Sequence, residues 1–236
     1  MGALLHKFFL DRGRAIAPDE NASDGVDSVL LTGPSCSGKT TLLFHFAINL
    51  VSEQGLSNVV IICKRSSMEN DPPSLPEDLD TQHLRRISFK YVSDDEDLDK
   101  YFAAFHLANP LPQAVIIDSF SEFFEDWIYE DDGGDGQPLE VAMVDSLALC
   151  LNAMEHASKE SPSEQACKLV ISDLSDEAAS YMYIYKKYLS RVFVIKSKLK
   201  LPCSTIFRSP NCRGRLLKVF LVRGVQRKCW LRSLHI

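Results

Sequence analysis

What the chain lacks narrows its class before any motif is read. No run of about 18 apolar residues occurs, so neither a membrane-spanning helix nor a membrane partner is expected. The N-terminal "MGALLHKFFLDRGRAIAPDE" has an apolar patch too short and too soon charged for a secretory signal. His6 stands where N-myristoylation wants Ser or Thr. None of the seven cysteines (Cys36, Cys63, Cys150, Cys167, Cys203, Cys212 and Cys229) belongs to a C-x-x-C pair, and the number is odd. This argues against a disulfide framework or a zinc ribbon and for a reducing compartment. Internal repeats, an ABC-type signature and helicase motifs are also missing.

Acidic residues are missing from one end only. None follows Glu177, whereas fourteen Lys and Arg lie between Tyr181 and Ile236. The net charge of −6 therefore conceals an acidic body and a basic end. Such asymmetry points to an acidic or nucleic-acid partner at the C-terminal part, or to pairing with the acidic portion of the same chain. The length of 236 residues suits one domain with an appendage, and 45% hydrophobic and 25% charged residues are ordinary for a globular chain.

What is present centres on "LLTGPSCSGKTTLLFHF". Gly33 to Thr40 fits G-x-x-x-x-G-K-[ST], between an apolar run that reads as a buried strand and a helical pattern. Gly33, Pro34, Ser35, Cys36, Ser37 and Gly38 would form a loop whose N–H groups point inward as an anion nest. The helix that follows turns its positive end to the same place. Lys39 would reach the β- and γ-phosphates, the Thr40 hydroxyl would ligate Mg²⁺, and Thr41 would lie near the α-phosphate. ATP with Mg²⁺ is the expected ligand pair. A second part is needed, an aspartate ending a buried strand, and "AVIIDS" supplies Asp118 as the Mg²⁺-side carboxylate.

Further strands are expected in "NVVIIC", "RRISFKYV", "CKLVISDL" and "RVFVIKS", with helices in "DDEDLDKYFAAFHLANP" and "LEVAMVDSLALCLNAMEHAS". "KRSSMENDPPSLPEDLD" reads as loop from its prolines, and "EDWIYEDDGGDGQP" as a mobile acidic loop. "RLLKVFLVR" and "KCWLRSLHI" read as a last antiparallel pair. Strands alternating with helices give an α/β layer fold, with a mostly parallel sheet, helices on both faces and an antiparallel C-terminal extension. The expected division is an N-terminal helix and loop over 1–27, a P-loop core over 28–180 and a basic part of the same domain over 181–236.

The order "IIDSF", helix, "KLVISDL" resembles the RecA-like recombinase superfamily. There, the "IDS" strand is followed by a loop and helix leading to a strand that ends in a polar sensor. "TLLF" after the P-loop, "RRISFKYV" before an acidic helix and the late "CWL" are similar to the small RecA-like ATPase of Shu-type complexes, which partners a SWIM-domain zinc protein. The resemblance spans about residues 28–236. It implies a nuclear ATPase of homologous recombination repair that binds single-stranded DNA, its SWIM-domain partner, and recombinases or paralogues of the RecA family.

The sequence departs from that family at its catalytic glutamate. After "VVIIC", Arg65 stands near the expected position and Glu69, the nearest candidate, comes several residues late. Beside it, Lys39 and Asp118 complete the candidate catalytic set. Hydrolysis is therefore expected to be slow. Asp173-Leu174 also stands where the family has a polar pair ending in glutamine. The loop after Asp118 holds Glu125, Asp126, Glu130, Asp131, Asp132 and Asp135, which repel a phosphate backbone. DNA contact is expected instead from Lys186, Lys187, Arg191, Lys196, Lys198 and Lys200, interleaved with Tyr181, Tyr183, Tyr185, Tyr188 and Phe193. Several of these rings alternate with the apolar set and also read as core. Two other readings stay open: a non-hydrolysing interaction module whose shape the nucleotide fixes, and a P-loop small-molecule kinase. The kinase reading lacks an arginine-rich lid, its arginines being scattered late.

Overall fold

A computed structural model describes residues 26–52, 58–70, 72–73, 81–129, 138–160, 166–197, 216–222 and 234–235. The expected N-terminal helix and loop over 1–27 lie outside the described residues except for Val26 and Asp27, and Lys198 and Lys200 lie outside them too.

The apolar runs over 29–31, 59–63, 114–117 and 169–171 make strands that are buried on both faces, where an unbroken run replaces alternation, whereas Ile87–Tyr91 at the sheet edge buries only Ile87. The strands are β1 (Asp27–Gly33), β2 (Val59–Cys63), β3 (Ile87–Tyr91), β4 (Ala114–Ile117), β5 (Lys168–Leu174) and β6 (Arg191–Ser197), followed by β7 (Leu216–Val222) and β8 (Leu234–His235). They form one sheet in the order β3-β2-β4-β5-β1-β6-β7-β8. The first six in that order run parallel. β7 and β8 continue it antiparallel. The chain is thus an α/β protein with a mainly parallel sheet.

Side chains of successive strand residues enter two separate cores. Leu30, Ile62, Val115, Ile117, Leu169 and Ile171 face one cluster. Val29, Leu31, Ile61, Ile116, Val170 and Phe193 face the other. Helix α1 (Lys39–Ser52) covers the second face with Leu43, Phe46, Ala47 and Leu50. The first face is covered by α4 (Asp95–Ala103) and α6 (Leu139–Glu160), through Leu98, Phe102, Met143, Leu147 and Met154. Helix α4 starts on Asp94, whose carboxylate accepts from the Asp97 N–H at 2.8 Å. Three acidic residues in its first turn favour the positive end of the helix.

Two expected loops are partly helical. Arg65–Asn70 forms helix α2 because the prolines that suggested a loop begin only at Pro72, and an Arg65–Glu69 pair at 3.7 Å spans one turn. Helix α3 (Thr81–Leu84) follows the described prolines. Glu125–Tyr129 forms α5 directly after a 3-10 turn over Phe120–Phe124. The burial of Phe120, Phe123 and Phe124 in that turn outweighs the polar composition around it. The remainder of that acidic stretch, 130–137, is outside the described residues. At the far end, α7 (Ser175–Ser180) and α8 (Met182–Tyr188) lead into β6.

Phe46 is fully buried between α1 and the sheet. Phe46→Ala is expected to cost about 3–5 kcal/mol by transfer and cavity terms, read as a lower midpoint in urea denaturation.

Candidate functional site

Parallel strands bring their C-terminal ends to one edge. There β1 runs into the P-loop, β4 into Asp118, β5 into Asp173 and β2 into α2. The topology explains why residues far apart in the chain meet. β5 lies between β1 and β4, so its polar end stands between loop and aspartate.

The loop is shaped by backbone geometry. Gly38 has φ +81°, and a Cβ there would meet none of the described residues within 4 Å, so the glycine is needed there for its conformation. Gly33 is the opposite case. A Cβ would come within 2.9 Å of Ile195 Cβ and 3.0 Å of Ser37 Oγ, so β6 packs too closely for any side chain. Cys36 also takes a left-handed φ, 55°. Lys39 opens α1 and curls back over the loop, its Nζ donating to the carbonyls of Gly33 at 3.1 Å and Pro34 at 3.0 Å. It is only 6% exposed. Burial pushes its pKa down, against the opposing pull of Asp118 and Asp173. Among the described residues, the buried Ser37 Oγ has no hydrogen-bond partner, and a buried polar group left without one costs free energy.

Asp118 is buried and has both carboxylate oxygens engaged. Thr40 Oγ1 donates to Oδ2 at 2.8 Å, and Ser172 Oγ donates to Oδ1 at 2.5 Å. Its own N–H donates to the Ile62 carbonyl at 2.9 Å, which extends β4 against β2. Ser119 then turns the chain with φ 59°, and its N–H donates to Ser172 Oγ at 2.9 Å.

Asp173, beyond Ser172, is fully buried and is also saturated with donors. Its carboxylate accepts from Ser121 Oγ and from Tyr185 OH, each at 2.5 Å, and from the Leu174 N–H at 2.9 Å. A carboxylate so enclosed is tolerable only because its lone pairs are met. Ser172, Ser121 and Tyr185 were not legible as partners of these acids. The one signal available was the Ser-Asp pair ending an otherwise apolar strand.

Glu122 is an acid of this edge that the sequence did not single out. It lies on the 3-10 turn four residues past Asp118 and accepts from Ser67 Oγ of α2 at 3.1 Å. Burial raises its pKa above the ordinary carboxylate range, Ser67 and Ser119 pull it down, and Asp118 and Glu125 push it up again. Cys63 lies close by, its thiol pushed up to about 12, chiefly by burial. Glu69 is elsewhere: its side chain is 65% exposed on α2 and is paired with Arg65. Ser35 is exposed at the loop tip, and Thr41 is half-buried on the first turn of α1.

The basic candidates divide. Lys186 and Lys187 are exposed at the end of α8, with Lys187 Nζ 5.5 Å from the Tyr188 ring centre. Arg191 is instead ion-paired with Asp27, which Lys168 also approaches at 3.9 Å. Lys196 is on β6. Of the rings, Tyr185 and Phe193 are core, whereas Tyr183 is 62% exposed. No protein-family model matches the chain, and no curated protein matches it.

Tyr185→Phe keeps the packing and removes one donor to buried Asp173. A loss of about 1.5–3 kcal/mol in chemical denaturation is expected for such a hydrogen bond to a charged group.

Proposed function

We propose that the chain is a RecA-like ATP-binding protein, with slow ATPase activity stimulated by single-stranded DNA. In this reading it acts in the nucleus with a SWIM-domain zinc protein, and with recombinases or paralogues of the RecA family, in homologous recombination repair. The observation that carries the nucleotide part is the chain of contacts Thr40–Asp118–Ser172, which joins the P-loop to β4 and β5. A hydroxyl and a carboxylate side by side are a donor set for Mg²⁺, which takes one or two carboxylates together with phosphate oxygens. Bound there, Mg²⁺ would neutralise charge on the phosphates.

The loop fits those phosphates on three counts. Among the described residues, the buried Lys39 ammonium has only carbonyl oxygens as hydrogen-bond partners, the Ser37 hydroxyl lacks an acceptor, and the space beside Gly38 is open. The RecA-like part is supported by β5. It follows the helix after Asp118 and ends in Ser172 and Asp173, at the place the resemblance gives to a polar sensor. For DNA, the support is Lys186 and Lys187 beside exposed Tyr183. The SWIM-domain partner and the recombination role rest on the resemblance alone.

One observation favours the second reading, an interaction module that holds ATP without spending it: Glu69 is exposed and paired with Arg65, so the expected catalytic glutamate is engaged elsewhere. A pull-down of the SWIM-domain partner with and without ATP, followed by phosphate release with and without single-stranded DNA, separates the two.

Lys39→Ala is expected to abolish binding of a labelled ATP analogue, and with it any DNA-stimulated phosphate release. Unchanged binding would sink the P-loop assignment. The double variant Lys186→Glu, Lys187→Glu should weaken single-stranded DNA binding and flatten its salt dependence, by about 0.7 in log–log slope for each phosphate that is no longer neutralised. A titration with an unaltered slope would place DNA elsewhere.

A further inference from the structure

We infer that Glu122 orients the water that attacks the γ-phosphate, in place of the glutamate that RecA-like enzymes carry after the second strand. The inference rests on the ATPase reading above. Its geometry starts from the 3-10 turn Phe120–Phe124, which leaves β4 immediately after Asp118 and Ser119. Phe120, Phe123 and Phe124 are buried, so the turn is clamped to the core by three rings, while Glu122 on the same turn is half-buried. Its carboxylate is held by Ser67 on α2, the short helix that follows β2. The turn thus carries a carboxylate to the end of β2 from a different strand. Sequence spacing along β2 alone could not show it.

The surrounding charges favour this role over a structural ion pair. Lys64 is engaged by Glu125 at 2.7 Å, and Arg65 by Glu69 and by the face of Tyr91, 4.4 Å from its centre. Among the described residues, Glu122 has hydroxyl partners and no ion pair. It also lies near enough to Lys39 and to Asp118 for each pair to interact electrostatically. A carboxylate fixed by hydroxyls keeps lone pairs for a water proton, which one locked to a guanidinium would not.

In the step, the water oxygen bonds to the γ-phosphorus, and the bond from that phosphorus to the β–γ bridging oxygen breaks, its electron pair leaving on ADP. Glu122 accepts the water's hydrogen bond and takes its proton, then returns it to solvent. The expected contribution is the range for a positioned base, about 100-fold or more in rate.

The test uses the full chain with Mg²⁺ and ATP, comparing wild type, Glu122→Gln, Ser67→Ala, Glu69→Gln and the distant surface variant Glu155→Gln. Two quantities are read: single-turnover phosphate release, and affinity for ADP–aluminium fluoride against a non-hydrolysable ATP analogue. Glu122→Gln should lower release about 100-fold. It should weaken ADP–aluminium fluoride binding while leaving the analogue's affinity as in wild type, which also shows that the variant is folded. Ser67→Ala should do the same to a smaller degree, because the carboxylate remains but is no longer held. Wild-type release and wild-type ADP–aluminium fluoride affinity in Glu122→Gln would overturn the inference. So would a loss confined to Glu69→Gln, or wild-type release no faster than that of Lys39→Ala although the analogue binds. Failure of the wild type to bind the analogue would instead bring down the nucleotide reading itself.

Discussion

The Asp118 carboxylate is the constraint around which the rest of the site is arranged. A carboxylate buried at the end of a sheet strand is costly unless its lone pairs are met. Here they are met from two directions, by Thr40 on α1 and by Ser172 on β5. The backbone N–H of the same residue continues the β2–β4 ladder by donating to Ile62. One residue therefore fixes the relative position of the P-loop, the neighbouring strand β5 and the end of β2. The order of the parallel strands makes this possible, since β5 separates β1 from β4 and supplies the hydroxyl between them.

Much of this was legible because it is local. The P-loop is a fixed spacing between a strand and a helix, and four apolar residues before Asp118 mark a strand buried on both faces. The α/β alternation followed from the same runs. The misread segments are those in which composition outweighed position. Prolines from Pro72 onward made a loop of residues that precede them and form α2. Acidic residues after Phe124 concealed α5. What could not be read were contacts whose partners lie far apart in sequence: Ser172 with Asp118, Ser67 with Glu122, and Arg191 with Asp27. These depend on which strands become neighbours, and periodicity does not carry strand order.

The basic end illustrates the same limit. A stretch of cations and rings reads as one surface, yet the fold sorts it residue by residue. Arg191 goes to Asp27, an acid from the start of β1, so part of the charge asymmetry is settled inside the chain. Tyr185 goes to the core and Tyr183 to solvent because they stand two apart on a helix, where that spacing turns side chains to different faces. The cations that remain outward on α8 are Lys186 and Lys187.

Asp173 links helix α8 to the turn that follows β4. Its carboxylate accepts from Ser121 on the 3-10 turn and from Tyr185 on α8, so the helix carrying Lys186 and Lys187 and the turn carrying Glu122 share one buried anchor. The two hydroxyls meet different oxygens of this carboxylate, Ser121 at Oδ1 together with the Leu174 N–H and Tyr185 at Oδ2, so the anchor holds the turn and the helix from its two sides. Ser121 and Glu122 are adjacent. The bond that holds Ser121 to Asp173 thus fixes the backbone from which Glu122 reaches Ser67, and the same carboxylate is held on its other oxygen by Tyr185, one of the rings that the sequence left open between core and nucleic-acid surface.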